Sequence, residues 1–274
     1  MDTERIMALA LELARQDRVP ADSAIFVPGK GLRKVMMGID IDSGDLLAAR
    51  QLGMDGVIAH HPLGGSTTLG LLEVFRRHAD TLARHGVPRE AADAAVAAMR
   101  AEHGPRLHAS NYDHVTSTAR LLKLPLMSIH NPADELGRRL MDDKLRSRVK
   151  ESDTVASAID ALNEFPEFEN AETEIVVRLG TEEASLGKYV VCHGAGTNGG
   201  YPVAAAAFRH GIDTVFYIHI DAAHLARLRA EFPAGKNLVV CGHIAADSVG
   251  LNPLIQRLRK EGLHVEAMGG ILEG

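Results

Sequence analysis

Short apolar runs along this chain alternate with longer stretches in which apolar residues recur every three or four positions, the pattern of buried strands covered by helices. Residues 6–14 (IMALALELA) read as an amphipathic helix, 35–40 as a strand, and 45–52 as a short helix ended by Gly53. Residues 56–59 form a second strand that stops at His60, His61 and Pro62. A strand-helix-strand unit builds a parallel sheet with both strand ends on one edge, so Asp40, Asp42, His60 and His61 are expected to gather there. Residues 68–99 read as two helices interrupted at 86–88, and 106–114 as a polar strand-to-loop transition. From Gly187 the alternation resumes, with strands at 188–193, 213–220, 237–243 and 264–268 and helices at 202–210, 222–232 and 247–261. The expected fold is therefore α/β, with an N-terminal half at 1–124 and a C-terminal half at 187–274 forming one compact unit. Between them, 125–186 reads as a connecting α+β insertion, punctuated by Pro125, Pro132 and Pro166 and by an acidic segment at 163–174.

Charge and composition exclude more than they assign. The formal net charge is -6, from 36 acidic and 30 basic residues, which gives no global attraction to nucleic acid or to an anionic membrane. With no Trp and few aromatics there is little platform for stacking bases. No apolar run approaches the roughly 18 residues of a membrane span. Two cysteines, Cys192 and Cys241, each end an apolar run and read as core residues in a reducing compartment, so a cytoplasmic location is expected.

Three patterns carry candidate chemistry. His60 and His61 end a strand, and because successive side chains of an extended chain point to opposite faces, they suggest two metals, or one ligand and one group that supports the ligands. Cys241-Gly242-His243 repeats the strand ending in histidine, and Asp247 follows four residues later, on the same face if a helix begins at His243. Gly194-Ala195-Gly196-Thr197-Asn198-Gly199 matches a dinucleotide fingerprint between strand and helix, with Asp221 further on; a tight crossover or a phosphate cradle explains it as well. His/Asp pairs also cap helices, and histidines at strand ends also make ordinary hydrogen bonds.

Taken together, His60-His61-Pro62, the loop ending in Asp113, the Cys192-His193-Gly194-Ala195-Gly196 turn and the Gly242-His243 element with its acid at 247 resemble the Nif-three-like dinuclear metal-binding proteins, from about Val35 to the C-terminus. The resemblance implies two divalent transition-metal ions, of Zn, Mn, Fe or Ni, held between two similar α/β halves, and a toroidal homohexamer. It assigns His60, His61, Asp113, His243 and Asp247 as metal ligands. The family usually carries Glu at the position of Asp247, and a His four residues before its middle Asp, where this chain has Ala109. A dinuclear site suits a metal-dependent hydrolase of a nucleotide-like or phosphoester substrate, with His108, His114, His193, His219 or His224 as proton shuttles. A non-enzymatic metal- or ligand-binding protein is the alternative, and a nicotinamide-dinucleotide-binding protein a third.

Overall fold

A computed structural model describes residues 1–273. The first part of the chain runs through α1 (Thr3–Ala14), β1 (Ala24–Val27), β2 (Lys34–Gly38), α2 (Ser43–Gln51), β3 (Gly56–Ala59), α3 (Gly65–Val74), α4 (Arg76–Arg84), α5 (Arg89–His108), α6 (His114–Leu122) and β4 (Leu126–Ser128). Next come α7 (Asn131–Arg148), α8 (Val155–Leu162) and α9 (Pro166–Glu169). The chain then forms β5 (Val176–Leu179), β6 (Tyr189–Val191), α10 (Gly200–Arg209), β7 (Thr214–Tyr217), α11 (Ala222–Glu231), β8 (Asn237–Val240), α12 (His243–Lys260) and β9 (His264–Met268).

The strands divide between two sheets, ordered β1-β4-β3-β2-β9 and β5-β8-β7-β6. In each, the first-named edge strand is antiparallel and the others are parallel, and each edge pairing carries an irregularity, between Ile25 and Val27 in one and Val177 and Leu179 in the other. Without β9 the two sheets share one topology, so the chain contains the same folding unit twice. The segment expected to connect the halves contributes β4 to the first sheet and β5 to the second, while β9 returns from the C-terminal end to pair with β2.

Alternation along the strands explains the layers. Met36 and Val57 pack with Leu46 of α2 and Ala119 of α6, whereas Met37 and Ile58 face Ile6 and Leu9 of α1 and Leu254 and Leu258 of α12. In the second sheet, Val190, Val215 and Leu238 pack against α5 and α10, and Val191, Phe216 and Val239 against α7, α8 and the first turns of α12. Helices α7 and α12 thus lie between the sheets and contribute to both cores.

Three local expectations change, the first at the last helix, which begins at His243 and not at 247 because β8 already ends at Val240. Three helices, not two, occupy residues 65–108, because the chain rebends at Phe75. The alanine-rich α5 continues through Gly104 and Pro105 to His108, so the expected strand-to-loop transition begins as helix; strong helix propensity upstream carries it.

Candidate metal centre

The two central helices begin with the same sequence pattern. His130-Asn131-Pro132-Ala133-Asp134-Glu135-Leu136-Gly137 opens at the junction of β4 and α7, and His243-Ile244-Ala245-Ala246-Asp247-Ser248-Val249-Gly250 at that of β8 and α12, giving His, Ala, Asp and Gly at matched positions. Spacing of four residues stacks each His over its Asp on one helix face. The glycines let the helices cross closely: a Cβ on Gly250 would stand 2.1 Å from the Ala133 carbonyl oxygen, and one on Gly137 3.3 Å from that of Ala246. This crossing brings Asp134 and Asp247 together in the interior, 4% and 1% exposed.

Strand β3 supplies the other wall. Its alternation ends at Ala59, where the His60 and His61 N–H groups donate to the Gly38 and Ile39 carbonyls. Beyond this point the chain bends, and both imidazoles turn toward Asp247, contrary to the opposite directions expected of a continuing strand. His60 Nε2 and His61 Nε2 each lie 3.5 Å from Asp247 Oδ2, and His243 Nε2 lies 3.2 Å from it. On the inner side, Asp134 Oδ1 is 3.1 Å from His60 Nε2, and Asp134 Oδ2 is 3.5 Å from His130 Nε2. His193, two residues beyond β6, places Nε2 3.8 Å from Asp134 Oδ1 and 3.9 Å from Asp247 Oδ1.

These atoms are close without bonding one another. Among the described residues, His60 Nε2, His193 Nε2, Asp134 Oδ1 and both Asp247 oxygens are buried with no hydrogen-bond partner. Unsatisfied buried polar atoms cost on the order of 1–3 kcal/mol each, so such a concentration requires a reason. Two donors on one cation, at ordinary Zn–N and Zn–O lengths, stand about 3.0–3.5 Å apart, close to the spacings seen here. His61, His243 and Asp247 form one triad of convergent ligand atoms and His60, Asp134 and Asp247 another, sharing Asp247. The donor set therefore suits a metal ion, with His60, His61 and His130 forming a third convergent group.

The far ring nitrogens are held as metal ligands usually are. His60 Nδ1 donates to the Ile129 carbonyl at 3.1 Å, His61 Nδ1 meets Asp40 Oδ1 at 2.6 Å, and His130 Nδ1 meets Asp22 Oδ2 at 2.8 Å. Each leaves Nε2 for the cluster. Burial opposes charge on His60, but the Asp247 and Asp134 carboxylates outweigh it and hold its pKa well above the ordinary value. Burial would likewise raise Asp134 and Asp247; the surrounding imidazoles hold both far below the usual carboxylate range.

Of the expected ligands, His60, His61, His243 and Asp247 converge. Asp113 does not: it is exposed, its carboxylate is paired with Arg120 and accepts from the Thr116 hydroxyl, and the Arg120 guanidinium holds its pKa low. In its place stand Asp134 and His130, which supply the His-x-x-x-Asp spacing missing at 109–113. That signal was visible in the sequence at the end of an apolar run, but lay inside the segment read as a connection. Asp40 joins the cluster through His61, whereas Asp42 caps α2 by accepting from Gly44 and Asp45 N–H.

Among the expected proton shuttles, His193 is in the cluster and His219 beside it, its ring centroid 4.7 Å from that of His243. His108 and His114 are exposed, and His224 meets Glu102 at 2.7 Å. A cavity of about 130 Å³ opens on the cluster, lined among others by His61, His193, His219 and Asp247. A larger cleft of about 670 Å³ beside Arg18, Arg76 and Arg89 shares none of these residues.

No family model and no curated protein matches the sequence. Solved structures do. HcgD from Methanocaldococcus jannaschii, in its reduced form, is 11% identical with a TM-score of 0.58 over 97% of each chain. A hypothetical protein of Staphylococcus aureus is 13% identical with a TM-score of 0.55, over 98% of this chain and 96% of that one; these two share the fold. A NIF3 superfamily protein from Sphaerobacter thermophilus is 48% identical over 98% of both chains, with a TM-score of 0.96. Agreement of sequence and fold over that length means that this chain belongs to the NIF3 superfamily.

Proposed function

We infer that this protein is a dinuclear metal-dependent hydrolase acting on a phosphoester or nucleotide-like substrate. The observation that carries the reading is the set of buried, unpartnered nitrogen and carboxylate atoms converging from two helices and a strand end. His61, His243 and Asp247 would hold an outer ion, and His60, Asp134 and Asp247 an inner one, with His130 and His193 beside it. Imidazole and carboxylate donors suit Zn, Mn, Fe or Ni. When bound, two such cations supply an acidified water and a Lewis-acid clamp on the scissile group. The chain itself contributes orientation: Asp22, Asp40 and the Ile129 carbonyl fix the three imidazoles against rotation.

A metal-binding protein without turnover would use the same residues. Nicotinamide binding is disfavoured, because the glycine-rich loop is packed inward; a Cβ on Gly196 would touch Leu71 and Phe75 at 3.3 Å. We place the protein in the cytoplasm as a homohexamer, readings that rest on its reduced cysteines and on the resemblance drawn from sequence. No described helix is long and apolar enough to cross a membrane. Elemental analysis of protein purified from metal-replete medium tests the first step, with about two ions per chain expected. Release of phosphate from a panel of phosphomonoesters, phosphodiesters and nucleotides separates hydrolase from binder.

A further inference from the structure

We propose that His219 is the substrate-contacting residue of this site, and that the group it receives is a single phosphoryl-sized oxyanion. The proposal rests on the dinuclear reading above and deepens it. Three observations support it. First, the duplicated topology makes β7 the counterpart of β3, and His219 stands two residues after β7 as His61 stands two residues after β3. The second unit thus places an imidazole on the cavity beside the centre, its ring 4.7 Å from that of His243, yet among the described residues His219 belongs to none of the ligating triads.

Second, the glycine-rich loop holds that imidazole in place. Gly200 N–H donates to Asn198 Oδ1 at 2.8 Å, which fixes the amide so that its Nδ2 faces the ring. Asn198 Nδ2 lies 2.6 Å from His219 Nδ1 and 3.3 Å from Nε2, so the amide packs across the ring and fixes its position, and a neutral imidazole held there carries one N–H. The loop that resembled a dinucleotide fingerprint serves here to place one N–H donor.

Third, the cavity that His219 lines is about 130 Å³. That holds a cluster of water molecules and is well below the roughly 300 Å³ or more of a site enclosing a drug-sized ligand. A phosphoryl group fits; a nucleoside attached to it would remain outside. Oxygens of such a group would meet the ligating triads and the His219 imidazole, whose N–H is a donor matched to negative charge.

Calorimetric titration of zinc-loaded protein with inorganic phosphate, with zinc content measured on the same samples, tests this. Unsubstituted protein should bind phosphate. His219→Ala should weaken binding about tenfold to a hundredfold, the range for losing a hydrogen bond to a charged oxygen, with zinc content unchanged. His219→Gln, which keeps an N–H donor, should recover most of the affinity, and Asn198→Ala should fall between the two. Equal affinity in His219→Ala and unsubstituted protein, or no phosphate binding by the zinc-loaded unsubstituted chain, overturns the proposal. Loss of zinc from His219→Ala also overturns it, by making His219 a ligand. Failure of the unsubstituted chain to take up zinc overturns the dinuclear reading itself and is told apart by the elemental analysis.

Discussion

Asp247 faces three imidazoles with Oδ2 and His193 with Oδ1 and hydrogen-bonds none of them, which makes it the residue on which the site depends. It is one methylene shorter than the Glu expected at this position, and it sits on a helix that crosses α7 closely enough for a Gly250 Cβ to meet the Ala133 carbonyl. Asp247→Ala should therefore reduce bound metal from about two ions to fewer than one per chain, whereas Asp113→Ala should leave metal content unchanged; elemental analysis of the two variants decides it. Protonation gives a second prediction. In metal-free protein the folded pKa of His60 is raised above 6.5, so its stabilising contribution is complete below that value and is lost as pH rises through the folded pKa. The slope is at most about 1.4 kcal/mol per pH unit. Asp134 and Asp247 act in the other sense, since their depressed pKa values give stability that is lost only in strong acid. Burial lowers the folded pKa of His78, His219 and His243, whose contributions rise as pH passes the ordinary imidazole value, so the fall belongs to the range above about pH 7: there chelated protein should melt at lower temperature as pH is raised, while metal affinity rises because binding displaces the His60 proton.

Helices α7 and α12 have paired roles that no single residue shows. Each opens with His and Asp four apart and carries Gly three further on, so the same turn that presents a ligand also permits the crossing that joins the two ligand sets. Gly250→Ala would drive a Cβ to within 2.1 Å of a backbone carbonyl that cannot swing away. We expect it to destabilise the protein by about 1–3 kcal/mol or more, as overpacking does, and to lower metal content although no ligand is changed. Thermal melts and elemental analysis of the one variant measure both effects. The start of α7 is further tied to the glycine-rich loop, where Asn131 Nδ2 donates to the Gly194 carbonyl at 2.7 Å and Gly194 packs against Glu135. The loop, the crossing helices and the ligands are therefore one mechanical unit.

Across the whole molecule, two copies of one folding unit meet at a cluster of metal-competent side chains that neither contains alone. Metal should accordingly stabilise the fold and not merely occupy it. Free Zn at a hundredfold excess over its Kd should raise stability by about 2.7 kcal/mol per independent site, read as a rise in Tm that chelator reverses. Local pattern was enough to predict the α/β class, the strand stopping at His60 and the burial of both cysteines, because strand alternation and helix periodicity are properties of neighbouring residues; it carried the strand expected at 237–243 three residues too far and began the last helix four residues late. The repeated His-x-x-Ala-Asp-x-x-Gly was equally present in the sequence. It becomes meaningful only when the sheets are seen to share one topology. Sequence alone could not bring Asp134 beside Asp247, leave Asp113 outside with Arg120, or turn His60 and His61 to the same side. Those outcomes depend on how closely two helices more than a hundred residues apart can cross, and that distance is set by the glycines and packed cores of the tertiary structure.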